Sequence, residues 1–211
     1  MLPHAGQSVV RVGAPLAAAR AAVIMIHGRG ATPRNIVELV PAIDQPDVAY
    51  LAPAAAGGTW YPQSFMAEIE KNEPGITSGI SVIHSLIDQV LAAGIGADRV
   101  MLLGFSQGAC LVCTAAQRRP QRYGGLMIYS GGLIGPPGSE WSDAGAFLST
   151  PVFLGCSDID AHVPESRVRE TAGVFERMGA DVTARIYPGM GHLVNDDEIV
   201  VARSLLARLA S

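Results

Sequence analysis

Gly104-Phe105-Ser106-Gln107-Gly108 decides the reading of this chain. The stretch matches G-x-S-x-G, the sharp turn that presents a serine nucleophile between a strand and a helix. The context fits. Arg99-Val100-Met101-Leu102-Leu103 reads as a buried strand, and Ala109 to Arg118 reads as a helix with apolar residues on more than one face. A serine on so tight a turn sits in strained backbone geometry, and the residues two places away crowd together. Glycine at 104 and 108 removes the side chains that would clash.

Working outward, strands and helices alternate. Strands are expected at 21–27, 47–52, 124–130, 151–156 and 182–187. Helices are expected near 33–43, 76–93, 164–178 and 195–210, besides the one after Ser106. Asn195 can cap the last helix, and Asp196, Asp197 and Glu198 suit the positive end of its dipole. Alternation of this kind means an α/β fold with a mainly parallel central sheet and helices on both faces. Functional groups then gather where strands end. Two segments, 53–74 and 131–149, are too long for simple connections and follow strand ends, as functional loops do.

The chain has 211 residues, enough for one domain spanning 1–211 with a sizeable core and no room for a cap domain. Hydrophobic residues make up 49% and charged residues 16%, so the surface is lightly charged. A net charge of -4 argues against a nucleic-acid partner, which needs a basic stripe. Three cysteines give no disulfide framework and fit a reducing cytoplasm. Cys110 and Cys113 lie one helical turn apart in an apolar helix, where core packing is the expectation rather than redox or zinc chemistry. No membrane span is expected, because Arg20 splits the apolar stretch 12–26. The start, Met1-Leu2-Pro3-His4, lacks the basic region of a signal peptide. A homodimer is left open.

A serine hydroxyl is a poor nucleophile until a base takes its proton, and the base needs an acid behind it to fix its tautomer. In this architecture the order is serine, then acid, then histidine. Of five histidines, His4 falls in a terminal segment expected to be mobile. His27 precedes the serine, and His84 sits mid-helix. His192 ends the loop Pro188-Gly189-Met190-Gly191-His192, whose two glycines let the ring swing over the serine, so His192 is the candidate base rather than His162. The loop after strand 151–156 offers Asp158 and Asp160, and either could serve as the acid. Asp158, Asp160 and His162 also have metal-like spacing, but no third cluster joins them and no metal is expected. An oxyanion needs two backbone N–H donors. One comes from Gln107, after the nucleophile. The other is expected from the turn His27-Gly28-Arg29-Gly30, at Arg29. That turn has only part of G-x-G-x-x-G, so a dinucleotide loop is not expected. The chemistry requires no cofactor.

With these segments in order, the chain resembles the phospholipase/carboxylesterase family of α/β-hydrolases, which includes bacterial carboxylesterases and acyl-protein thioesterases. The likeness rests on His27-Gly28-Arg29-Gly30, Leu86-Ile87-Asp88, Arg99 through Gly108, Asp160 through Pro164 and Tyr187 through His192. The family's acid segment typically reads H-G-D-x-D-P-x-V-P with the second aspartate catalytic. Laid against Cys156 through Pro164 without a gap, it places the role on Asp160 and leaves Asp158 in support. Counting from Gly155 instead would select Asp158. Cys156-Ser157 and Ala161 depart from the pattern. Arg29 and Ala31 stand where relatives commonly have leucine and aspartate, so one rim of the site is expected to be polar. The resemblance also implies that Trp60 and Leu133, with Met190 at the same edge, border the acyl pocket. It implies a small-molecule ester or thioester substrate, and the absence of room for a cap domain favours short to medium acyl chains. Acyl-protein thioesterase and lysophospholipase activities use the same machinery. A dienelactone-type hydrolase would normally carry cysteine at the position of Ser106. A ligand-binding or sensor protein on a degenerate hydrolase scaffold is the alternative outside enzymology.

Overall fold

In the computed structural model, which describes residues 2–210, seven strands form one sheet in the order β1-β3-β2-β4-β5-β6-β7. They are β1 (Val9–Gly13), β2 (Ala21–Ile26), β3 (Val48–Pro53), β4 (Val100–Phe105), β5 (Gly125–Tyr129), β6 (Pro151–Ser157) and β7 (Asp181–Tyr187). All neighbouring pairs are parallel except β1 with β3. The two ends of the sequence, Met1 and Ser211, lie outside the described residues.

The alternation of side chains along each strand sorts the core into two layers. Ile24, Ile26, Leu102 and Ile128 face one side with α3 (Gly75–Ala92), α4 (Gln107–Arg118) and α5 (Glu165–Arg177). Val23, Met25, Leu103 and Met127 face the other with α1 (Pro33–Val37), α2 (Val40–Ile43) and α6 (Asp196–Ala210). The central strands are covered on both faces, which is why they read as continuous apolar runs. Residues Gln107 to Ala116 of α4 are all buried, explaining its apolar character on every side. Cys110, Cys113 and Cys156 are unpaired thiols inside this packing. Helix α3 has the length and apolarity of a membrane span, yet half of it is buried inside the molecule. Its packing against α4 accounts for that composition.

Three expectations change. The single helix near 33–43 is two short ones, because Pro41 cannot donate into a continuous helical ladder. The edge strand β1 was not anticipated. The terminal segment around His4 is built in: His4 is 3% exposed, and its backbone N–H donates to Ser78 Oγ at 2.8 Å.

Candidate active site

Everything of chemical interest lies beyond the C-terminal ends of β2, β4, β6 and β7. Ser106 follows β4 with φ 56° and ψ -122°, a conformation L residues rarely hold. A Cβ on Gly104 would stand 2.7 Å from Ala109 Cα, and one on Gly108 would collide with the Ile26 carbonyl. The turn is pinned by the Ser106 N–H, which donates to the Tyr129 carbonyl at 2.9 Å, and by the start of α4.

His192 reaches over this turn from the loop after β7. Its Nε2 is 2.8 Å from Ser106 Oγ, and its Nδ1 is 2.7 Å from Asp160 Oδ2. The ring is braced by Phe105 at 5.0 Å and by the edge of His162 at 4.8 Å, centroid to centroid. Two further bonds hold the His192 loop to the acid loop. Gly191 N–H donates to Ser157 Oγ at 3.1 Å, and Gly189 N–H donates to Asp158 Oδ1 at 2.8 Å. Asp158 therefore supports the loop, while Asp160 meets the imidazole. Asp160 Oδ1 also accepts the backbone N–H groups of His162 and Val163 at 2.8 and 3.0 Å. Burial opposes the charge on Asp160, whose side chain is fully covered. The bonds from His192 and from those two N–H groups outweigh burial and hold its carboxyl below the usual range.

Burial pushes the Cys156 thiol up to about 12, with the charge of Asp160 adding to the effect. The cysteine at this variant position is a neutral neighbour of the acid, 3.7 Å from Asp160 Oδ2.

Gln107, the first residue of α4, has an N–H without an intrahelical acceptor. The Arg29 N–H, in the turn after β2, has no acceptor among the described residues. Sequence reasoning did not foresee what the side chain of Gln107 does. Its Oε1 accepts the Trp60 N–H at 2.9 Å, and its Nε2 donates to the Tyr61 carbonyl at 2.8 Å. Trp60 is fully buried, with its indole Nε1–H donating to the His27 carbonyl at 2.9 Å. His27 in turn donates from Nδ1 to the Gly28 carbonyl and accepts the Ala55 N–H at Nε2. Burial holds the His27 ring below the usual imidazole range, so neutral His27 serves as structure here.

A cleft of about 490 Å³ opens in front of Ser106. Arg29, Tyr61, Phe65, Phe105, Val163 and His192 are among the residues that line it. Trp60, Leu133 and Met190, expected at its edge, are not on its wall. Trp60 lies behind Tyr61, in the buried network with His27. Leu133 is also fully buried, where its carbonyl accepts from Arg167 Nη1 at 2.8 Å. The Met190 sulfur faces Asn195 Nδ2 at 2.8 Å. Phe65 takes the place expected of Trp60. Arg167, unremarked in the sequence, is 1% exposed and also donates to the Gly135 and Pro136 carbonyls. A buried guanidinium with carbonyl acceptors on one loop fixes that loop against α5. Its position one turn before Thr171, on the apolar side of α5, was the available signal.

A strand–G-x-S-x-G–helix elbow on a mainly parallel sheet covered on both faces, with a histidine and an aspartate from later strand ends beside the serine, is the arrangement of an α/β-hydrolase. The chain belongs to the phospholipase/carboxylesterase family, whose model it matches over residues 7–209. A phospholipase/carboxylesterase from Dyadobacter fermentans of known structure is 36% identical, with a TM-score of 0.92 over 98% of this chain and 99% of that one. Acyl-protein thioesterase 1 of Saccharomyces cerevisiae is 26% identical over 96% of this chain and 98% of its own length. Acyl-protein thioesterase 1 of Gibberella zeae is 30% identical over 64% of this chain, and the match spans only 58% of that protein.

Proposed function

We propose that this hydrolase cleaves carboxylic esters of short to medium acyl length through a Ser106-His192-Asp160 triad and an acyl-enzyme. One observation carries the reading. Unbroken contacts of 2.7 and 2.8 Å run from Asp160 through His192 to Ser106 Oγ in one cleft. Asp160, as carboxylate, accepts the hydrogen bond from Nδ1–H and so fixes the tautomer that leaves Nε2 as the base toward the serine. Ser106 Oγ attacks the ester carbonyl as Nε2 takes its proton, and Asp160 stabilises the imidazolium. The N–H groups of Arg29 and Gln107 receive the charge that develops on the carbonyl oxygen. His192 then protonates the departing alcohol, and its neutral form draws a proton from water to clear the acyl-enzyme. No step calls for a cofactor or a metal.

Thioesters follow the same steps with a thiol leaving. The acyl-protein thioesterase relatives support that reading, which shares every residue named above. We assign the whole chain to one catalytic unit acting on small-molecule acyl substrates. Its three unpaired buried thiols favour a reducing compartment. Release of nitrophenol from a nitrophenyl ester series of two to twelve carbons, beside matched thioesters, tests the reading. Turnover that peaks at short to medium length supports it. No turnover of any member would leave a binding protein on a hydrolase scaffold.

A further inference from the structure

The cleft differs between its two sides. Ser106 follows the central strand β4, so the site extends toward β2 on one flank and toward β5 and β6 on the other. The β6 flank is apolar apart from His162, whose ring packs against His192. Val163 follows β6, Cys110 rises from α4, and Phe65 is tied to the loop after β5 by the Gly135 N–H, which donates to its carbonyl at 2.9 Å. The β2 flank carries Arg29. No Asp or Glu is among the described residues that line the cleft. Asp160, behind His192, is bonded to that ring. In a chain of net charge -4, the permanent charge facing the substrate is thus positive.

Arg29 is held in place. Its Nη1 donates to the Pro62 carbonyl at 2.8 Å and its Nη2 to the Gln63 carbonyl at 2.5 Å, and the guanidinium lies 5.9 Å from the Tyr61 ring centre. Those acceptors are neutral and use two of the five N–H bonds a guanidinium offers. The side chain is exposed, has no carboxylate partner among the described residues, and has three N–H donors left over. A cation fixed by neutral carbonyls is pre-organised for an anion, since little side-chain freedom is lost when one binds.

We propose that this site selects esters that carry an anionic group, a carboxylate in the first instance, directed to the Arg29 guanidinium while the apolar part of the substrate lies along Phe65 and Val163. The proposal rests on the ester-hydrolase reading and narrows its substrate class. The competing account is that Arg29 only clamps the turn at Pro62 and Gln63.

The test compares each acid with its uncharged amide. One pair, 3-carboxyphenyl butyrate and 3-carbamoylphenyl butyrate, puts the charge on the alcohol side. The other, monoethyl adipate and its monoamide, puts it on the acyl side. The quantity read is the acid-to-amide ratio of kcat/KM in each enzyme, so losses common to both substrates cancel. In at least one pair the ratio is expected to fall about tenfold in Arg29→Gln, the scale of one charge-assisted hydrogen bond, and to persist in Arg29→Lys. It should also fall in the wild type between low salt and about 0.5 M salt, as the charge is screened. A ratio unchanged by Arg29→Gln and by salt in both pairs overturns the proposal and leaves Arg29 as a clamp. If the wild type hydrolyses neither member of either pair, nor any simple ester, the hydrolase reading itself has failed.

Discussion

The indole N–H of Trp60 donates to the main-chain carbonyl of His27 at 2.9 Å, while the Trp60 backbone N–H donates to Gln107 Oε1 at the same distance. One buried residue thus links the turn that carries the Arg29 N–H to the residue that carries the second donor. His4 completes the anchor. Its Nε2 donates to the Trp60 carbonyl at 2.8 Å, and its Nδ1 accepts the Ala56 N–H at 3.0 Å. In the proposed mechanism, the separation of the Arg29 and Gln107 N–H groups is therefore set by the buried Trp60 and His4 side chains.

Trp60→Phe keeps an aromatic ring and deletes the indole donor. We expect kcat to fall about tenfold with KM little changed, the effect of losing about 1.4 kcal/mol that acts only in the transition state. The loss should be equal for acetate and hexanoate esters. A larger loss for hexanoate, or a rise in KM alone, would return Trp60 to the acyl pocket. A thermal melt of the variant separates this outcome from unfolding.

We predict that Phe65, which lines the cleft, carries the chain-length preference instead. Each methylene buried against it contributes about 0.8 kcal/mol, close to a fourfold gain in kcat/KM. Phe65→Ala should flatten the climb from acetate to butyrate while leaving acetate within a few-fold of the wild type. An unchanged slope would show that the acyl chain runs elsewhere.

Asp160→Asn should lower kcat by about three to four orders of magnitude, because an amide cannot hold the imidazole in its working tautomer or stabilise its charge. Asp158→Asn should cost about tenfold or less, since an amide oxygen still accepts the Gly189 N–H. The reverse ranking, measured by steady-state kinetics, would contradict the geometry around His192.

We predict that Glu198 makes the fold's stability depend on pH. It is fully buried at the start of α6, where its Oε2 accepts the Asn195 N–H at 2.8 Å and its own N–H donates to Asn195 Oδ1 at 3.0 Å. Its other oxygen has no partner among the described residues. Burial raises its carboxyl from 4.5 to about 7, partly offset by the Asn195 N–H, while Asp197 pushes it further up. The folded chain therefore binds the proton more tightly than the unfolded chain. This stability is present below the unfolded value and is lost as pH rises through about 7. The difference amounts to at most about 3 kcal/mol. The melting temperature should decline between pH 5 and 8, and Glu198→Gln should flatten that decline. Parallel declines in both proteins would exclude Glu198 as the source.

Local signals in the sequence reached the elements that place Ser106 and His192, and long-range contacts decided the rest. The elbow glycines, the alternating elements and the Asn195 cap are written in neighbouring residues. Strand β1 is short, half-buried and broken in pattern by Arg11, so nothing local separates it from a loop. An apolar residue in a long loop reads the same whether it lines a cleft or lies beneath it. Trp60 is buried because His4, 56 positions away, and His27, 33 positions away, close around it. The same distance in sequence hid the anchoring of His4 itself.

The central claim is that Ser106 is the nucleophile. Treating the protein with a fluorophosphonate and mapping the adduct by mass spectrometry tests it most directly. The account predicts a single adduct on the peptide that contains Ser106, loss of all esterase activity in step with labelling, and no adduct in Ser106→Ala. Labelling at another serine, or a Ser106→Ala protein that still turns over ester, would contradict it.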